Sequence, residues 1–214
     1  VTATPELIDA LVADLRPVPA GTVWRRIAIG VGVGGLVSAV LMVLWLGLRA
    51  DLAEAVWTTS YWAKFIYPLL LGIAGMLAVE RLSRPGGRAR RAAWLAVAAV
   101  AAVLLLAAAQ FMNSPPEMYR GLLMGSSAML CPFYIVSLAT PIYLSLLWVL
   151  RGLAPTRLAV AGAAAGLLAG GIGAWIYAFH CGETAMPFLA TWYSLGIVAS
   201  VALGALVGRY VLRW

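Results

Sequence analysis

Few residues in this chain can do chemistry beyond packing. His180 is the only histidine, and Cys181 beside it is one of two cysteines; the other is Cys131. Glu183 follows two positions later. A disulfide between Cys131 and Cys181 would close a long loop and contribute ~3–5 kcal/mol in the chain-entropy account. Two free thiols would instead make a redox or thiol-reactive sensor. Cys131 then sits at a helix N-terminus, which lowers a thiol pKa, beside the helix-breaking Pro132. A metal site would draw on Cys131, Cys181 and His180, with Glu183 as fourth ligand, because soft thiolates plus imidazole suit zinc or cadmium. A loop lets the adjacent His180 and Cys181 face one ion. Two unrelated thiols are the remaining reading. These readings stay open on the residues alone.

No catalytic set accompanies them. There is no HExxH, no CxxC and no Walker motif, and two cysteines are too few for the relay of a quinone-linked disulfide oxidase. An enzyme is not expected, and no cofactor is required; a heavy-metal ion held transiently at the cysteines is the one candidate.

What the cysteines can do depends on the elements that place them. Of the 214 residues, 64% are hydrophobic and 11% charged, against ~45–50% and ~25% in soluble domains. This predicts an all-α membrane protein, a six-transmembrane-helix bundle. Spans of roughly the ~20 residues needed to cross the hydrocarbon core are expected at 27–48, 62–79, 92–112, 132–150, 158–179 and 189–208. Residues 27–214 then form the transmembrane domain and 1–26 a segment in front of it. No cleavable signal peptide is expected, since residues 1–23 lack a basic n-region.

Within the spans, small residues recur four apart: Gly30 and Gly34, then Gly162, Gly166 and Gly170, then Gly196, Ser200 and Gly204. Such stripes let helices approach closely, which argues for a tight bundle and against a wide pore. Pro68 and Pro141 mark expected kinks. Ser114-Pro115-Pro116-Glu117 has capping-box spacing and predicts a short interfacial helix over 115–130, broken from the fourth span at Pro132. Trp57, Tyr61 and Trp62 suggest an interface belt from which Lys64 snorkels.

The net charge of +7 points to loop arginines that set topology, with no direct nucleic-acid contact. Arg16, Arg25, Arg26, Arg81, Arg84, Arg88, Arg90, Arg91, Arg151, Arg157, Arg209 and Arg213 fall on one side. Arg49, Lys64 and Arg120 fall on the other. The positive-inside rule then makes both termini cytoplasmic and turns 49–61, 113–131 and 180–188 outward. In a bacterial inner membrane both cysteines would face an oxidising compartment.

Ahead of the first span, Thr4-Pro5-Glu6 reads as a helix start. Leu7, Ile8, Leu11, Val12 and Leu15 follow helical spacing, with Glu6, Asp9 and Asp14 as the polar complement, and Pro17, Pro19 and Gly21 stop the run. This short acidic amphipathic helix either lies on the membrane surface, packs against the bundle or docks on a partner; interfacial helices favour Lys and Arg on the polar face, which counts against the first.

Taken together, Thr4-Pro5-Glu6-Leu7-Ile8-Asp9-Ala10-Leu11, Leu15-Arg16-Pro17-Val18, Trp24-Arg25-Arg26, six spans, Cys131-Pro132 and His180-Cys181-Gly182-Glu183 followed by Trp192-Tyr193 resemble the NrsF family. These are membrane anti-sigma factors that restrain sigma-F-type extracytoplasmic-function sigma factors in proteobacteria. The resemblance covers essentially the whole chain. It implies that the cytoplasmic part holds the sigma factor and that Cys131 and Cys181 respond to oxidants or to heavy metals such as chromate or cadmium. The His-x-x-x-Cys-x-x-Cys pattern of zinc-containing anti-sigma domains is absent, so sigma binding must use another surface, for which Leu7, Ile8, Leu11 and Leu15 with Glu6, Asp9 and Asp14 are the candidates. Two alternatives use the same cysteine pair: a small transporter, which would need intramembrane charges that the expected span cores lack, and a thiol-redox membrane protein.

Overall fold

Long runs of Ala, Val, Leu and Gly can satisfy their backbone in lipid by forming helices, and this chain does so along most of its length. The computed structural model describes residues 4–13, 19, 21–84, 86–153 and 155–213. In chain order the helices are α1 (Thr4–Ala13), α2 (Thr22–Trp45), α3 (Leu52–Ala55), α4 (Thr59–Leu82), α5 (Arg90–Met112), α6 (Tyr119–Met124), α7 (Cys131–Arg151), α8 (Leu158–Tyr177), α9 (Met186–Phe188) and α10 (Ser194–Val211). Six stretches are long and apolar enough to cross a membrane: α2, α4, α5, α7, α8 and the run from Met186 to Val211.

α8 is the axis of the bundle. Its sequence, LAVAGAAAGLLAGGIGAWIY, carries small residues on every side, so α4, α7 and α10 can all pack against it. A Cβ at Gly166 would strike the backbone carbonyl of Ser200. Gly162 meets Gly204 and Gly208 backbone to backbone, Gly170 lies against Ser200 and Ile197, and Gly196 lies against Ile135. α2 joins the outside of the bundle through α7: a Cβ at Gly34 would come within 2.5 Å of Ile142 Cα, and Gly30 faces Val149. With backbones this close, hydroxyls reach neighbouring carbonyls. Ser38 Oγ donates to Leu138 O at 2.6 Å, Ser145 Oγ to Gly30 O at 2.7 Å and Tyr143 OH to Gly204 O at 2.8 Å. α5 packs on α4 and on the start of the last span and leaves Leu104 and Leu105 exposed.

Several local expectations change. Residues 115–130 do not form one helix. A single 3-10 turn, Pro116–Met118, leads into α6, which ends at Gly125 with φ 50°; turns then carry the chain to α7. Ser114 does not cap forward, and its Oγ donates back to Gln110 O at 2.8 Å. Pro68 and Pro141 lie inside the continuous helices α4 and α7, so neither proline ends its span. The last span contains a π-helical turn, Leu189–Tyr193, between α9 and α10. The interior is also not free of charge: Lys64 is 3% exposed.

α1 covers Leu7, Ile8 and Leu11, while Asp14 and Leu15 lie outside the described residues. Glu6 and Asp9 are exposed, as are the apolar Ile8 and Val12. Among the described residues, α1 makes no extended packing against the spans.

Candidate functional site

Alternating spans bring the end of α2, the start of α4, the end of α5, the start of α7, the end of α8 and the start of α9 to one end of the bundle. Cys131 is the first residue of α7 and is fully buried; its N–H donates to Ser127 O at 2.9 Å. Cys181 lies just beyond α8, 3% exposed, and its N–H donates to Tyr177 O at 3.0 Å. Both are free, buried thiols. The Tyr177 ring is 5.7 Å from that of Tyr193 and 5.7 Å from that of His180. The Tyr193 hydroxyl is buried with no hydrogen-bond partner among the described residues. A reactive thiol needs access as well as ionisation, and these two sulfurs are closed off from outside.

The closure is built on the Cys181 carbonyl. Lys64 Nζ donates to it at 2.8 Å and Arg49 NH1 at 3.3 Å. Lys64 therefore does not snorkel. A buried ammonium needs an acceptor, and the hydrogen-bonded turn just beyond α8 supplies one. Tyr61 is buried with it, while Trp57 and Trp62 are exposed. Arg49 is locked further: its N–H donates to Phe179 O at 3.1 Å, and its Nε and NH2 reach the two Asp51 carboxylate oxygens at 2.7 Å each. Those bonds hold the Asp51 carboxyl at about 2, below its ordinary 3.8, and raise Arg49 above its own usual value.

The two remaining candidate ligands are occupied. His180 Nδ1 lies 3.0 Å from Gly47 O; a carbonyl can only accept, so Nδ1 is the donor. Glu183 Oε1 accepts from Ser126 N–H at 2.7 Å, Ser126 Oγ at 2.6 Å and Ser127 Oγ at 3.4 Å. A Cβ on Gly125 would collide with that carboxylate, so the glycine lets the turn before Cys131 close over the loop that follows Cys181. Among the described residues, no three of His, Cys, Asp and Glu converge as a group able to hold a metal ion. Two further bonds join this end: Met186 N–H donates to Gln110 Oε1 at 2.7 Å and Trp192 Nε1 to Leu123 O at 2.8 Å.

The structure thus gathers Cys131, Cys181, His180 and Glu183 at one end, although Glu183 and His180 bind backbone and serine groups there. The candidate sigma-binding residues of α1 precede the opposite end. Sequence reasoning missed Lys64, Arg49, Ser126 and Tyr193. A lysine just inside an apolar span was the available signal, because such a cation normally faces a partner inside the bundle.

No solved structure matches this chain. A protein-family model described as "NrsF: Negative regulator of sigma F" matches residues 11–214. The chain is 43% identical to the anti-sigma-F factor NrsF of Caulobacter vibrioides and 36% identical to a probable anti-sigma-F factor NrsF of Azospira oryzae, each over 99% of both chains. With relatives aligned from end to end and the family model covering nearly all of it, the chain belongs to the NrsF family, whose members are regulators and not enzymes.

Proposed function

We propose that this chain is an inner-membrane anti-sigma factor. It holds a sigma-F-type extracytoplasmic-function sigma factor at the cytoplasmic face and releases it when the end bearing Cys131 and Cys181 meets an oxidant or a heavy metal. The observation that carries this is the full-length relation to an anti-sigma-F factor. The arginine excess at the end opposite the cysteines supports the orientation, with both termini inside. The exposed Ile8 and Val12 on an unpacked α1 support docking there, with Glu6 and Asp9 meeting basic groups of the partner.

On the input side, two thiols lose two protons and two electrons to the oxidant and form the Cys131–Cys181 bond. Both are buried, so the gate of Lys64, Arg49 and Glu183 must open first. Moving a switch from 1:99 to 99:1 takes ~5.5 kcal/mol, and a disulfide contributes a large share of it. α8 runs from this end to the arginine end and packs on three spans, which makes it the element able to pass the change along. A second input, a soft metal ion on both thiolates and His180, would require the loop to open and bring these residues together first.

Co-purification of the sigma factor tests both halves. Leu11→Asp in α1 should lose it. Cys131→Ser/Cys181→Ser should retain it and keep it under oxidant or cadmium. Normal binding by Leu11→Asp removes the docking role of α1. Release from the double serine variant removes the cysteine sensor.

A further inference from the structure

The arginine end carries a second constellation that neither the thiols nor α1 use. A cavity of about 760 Å³ lies against the α4–α5 connection, lined by Leu77, Arg81, Arg88, Arg90, Arg91 and Trp94, with Ala89 and Ala92 between them. We infer that this cavity is a binding site for one anionic phospholipid of the surrounding leaflet: the arginines take the phosphodiester, and the apolar floor takes the upper part of an acyl chain.

The geometry follows from the helical repeat. Leu77 lies one turn inside Arg81 on α4, and Trp94 lies one turn inside Arg90 on α5. Arginines therefore form the rim and apolar side chains the floor nearer the membrane core. The connection is a formed turn. Gly86 has φ 70°, Gly87 N–H donates to Arg84 O at 3.1 Å, and a side chain on Gly87 would collide with the Arg81 carbonyl. This tight approach folds Arg88 back beside the end of α4.

Charge selects the ligand. Glu80 pairs with Arg81 at 3.4 Å and with Arg84. Among the described residues, no carboxylate pairs with Arg88, Arg90 or Arg91. Guanidinium groups fork onto phosphate oxygens in a way that an ammonium cannot. The floor excludes a purely ionic occupant: Leu77 is 41% and Trp94 64% exposed beside the rim, and only an amphiphile uses both parts. Basic pockets beside span ends recognise anionic headgroups by this combination. The inference stands apart from the sigma-factor reading.

Native mass spectrometry of the detergent-purified full chain tests it, titrating phosphatidylglycerol against phosphatidylcholine with the same acyl chains. Wild type should retain phosphatidylglycerol at least about tenfold more tightly. R88Q/R90Q/R91Q should weaken that by about 100-fold, at roughly fivefold per arginine. Because those changes also touch the topology signal, R88K/R90K/R91K is the second variant. It keeps the positive charge that orients the chain but removes the fork, and should bind about tenfold more weakly. Trp94→Ala should weaken binding without changing topology. Equal retention of both lipids by wild type overturns the inference. So does unchanged affinity in both the lysine variant and Trp94→Ala. Displacement by millimolar inorganic phosphate would make this a free-anion site. A glutamine variant that keeps its lipid but loses the sigma factor on co-purification would assign the patch to the protein partner. Either result overturns it.

Discussion

At the cysteine end, polar side chains reach across to neutral groups of other loops, with the Arg49–Asp51 ion pair at the rim. Lys64 and Arg49 share the Cys181 carbonyl, Glu183 gathers two serines, and His180 holds Gly47. These bonds join the loop after α2, the start of α4, the turn before α7 and the loop after α8. At the arginine end, the bonds between distant segments among the described residues are fewer, longer and exposed. Arg26 reaches Gly152 O at 3.3 Å and Arg151 reaches Val211 O at 3.2 Å. The other arginines described there face outward or make local pairs. A charge-assisted bond in a water-poor site contributes several times more than one at the surface. The end that carries the two cysteines is therefore the well-closed one, and the arginine end keeps its charges free. Thiols behind such a closure can react only as fast as it opens.

Cutting the closure should have the largest effect. Lys64→Ala removes a buried ammonium and its bond to the Cys181 carbonyl, and leaves a hole. Removing a buried charged donor and its packing costs about 3 kcal/mol. Thermal unfolding in detergent should show a clear loss. Alkylation of Cys181, limited by local opening, should quicken by about 100-fold. If the rate stays within twofold, the sulfur is shielded by the Tyr177 and Tyr193 packing and not by this gate.

Glu183→Ala comes next. Glu183 is half-buried, so losing its serine bonds should cost about 1–2 kcal/mol. The distinguishing feature is where the loosening appears. The turn 125–130 and Cys131 should become reactive together with Cys181, because Glu183 is the tie between those loops. Faster exchange at Cys181 alone would assign the tie to the Trp192–Leu123 bond.

Arg26→Ala serves as the matching cut at the other end. It removes one exposed 3.3 Å bond and should change stability by less than about 0.5 kcal/mol, with alkylation of both thiols unchanged. An effect comparable to that of Lys64→Ala would erase the contrast between the ends.

This contrast also explains what the sequence could convey. The spans were legible because lipid imposes one pattern, long apolar runs between arginine-rich turns, and the glycine spacing already marked where α8 meets α10. The placement of Cys131 and Cys181 at one end followed from counting spans. Their burial was not legible, since it depends on Lys64 bending inward to a carbonyl from a distant loop, and hydropathy reads that lysine as an interface residue. The role of Glu183 was equally hidden. Its spacing beside His180 and Cys181 suggests a ligand, but Gly125 opens a space in which the carboxylate meets Ser126 first. The capping-box pattern at Ser114 failed for a local reason: the serine hydroxyl found the end of α5 one turn back.

The smallest expected effect lies at the rim of the closed end and depends on pH. Asp51 is held at about 2 by its bonds from Arg49, against an ordinary 3.8. A carboxyl depressed in the folded state stabilises fully above its unfolded value, and that stabilisation is lost as pH falls through the folded one. The difference in melting temperature between wild type and Asp51→Asn should therefore be constant from pH 5 to 7, shrink below about pH 4 and vanish only below about pH 2. It should be small and partly screened by salt, because Asp51 is open to solvent. Arg49 keeps its bond to the Cys181 carbonyl throughout, so thiol accessibility should not follow this titration. If Cys181 opens in step with protonation of Asp51, then the Arg49–Asp51 pair is part of the gate and not its rim, and acid would act on the thiols through it.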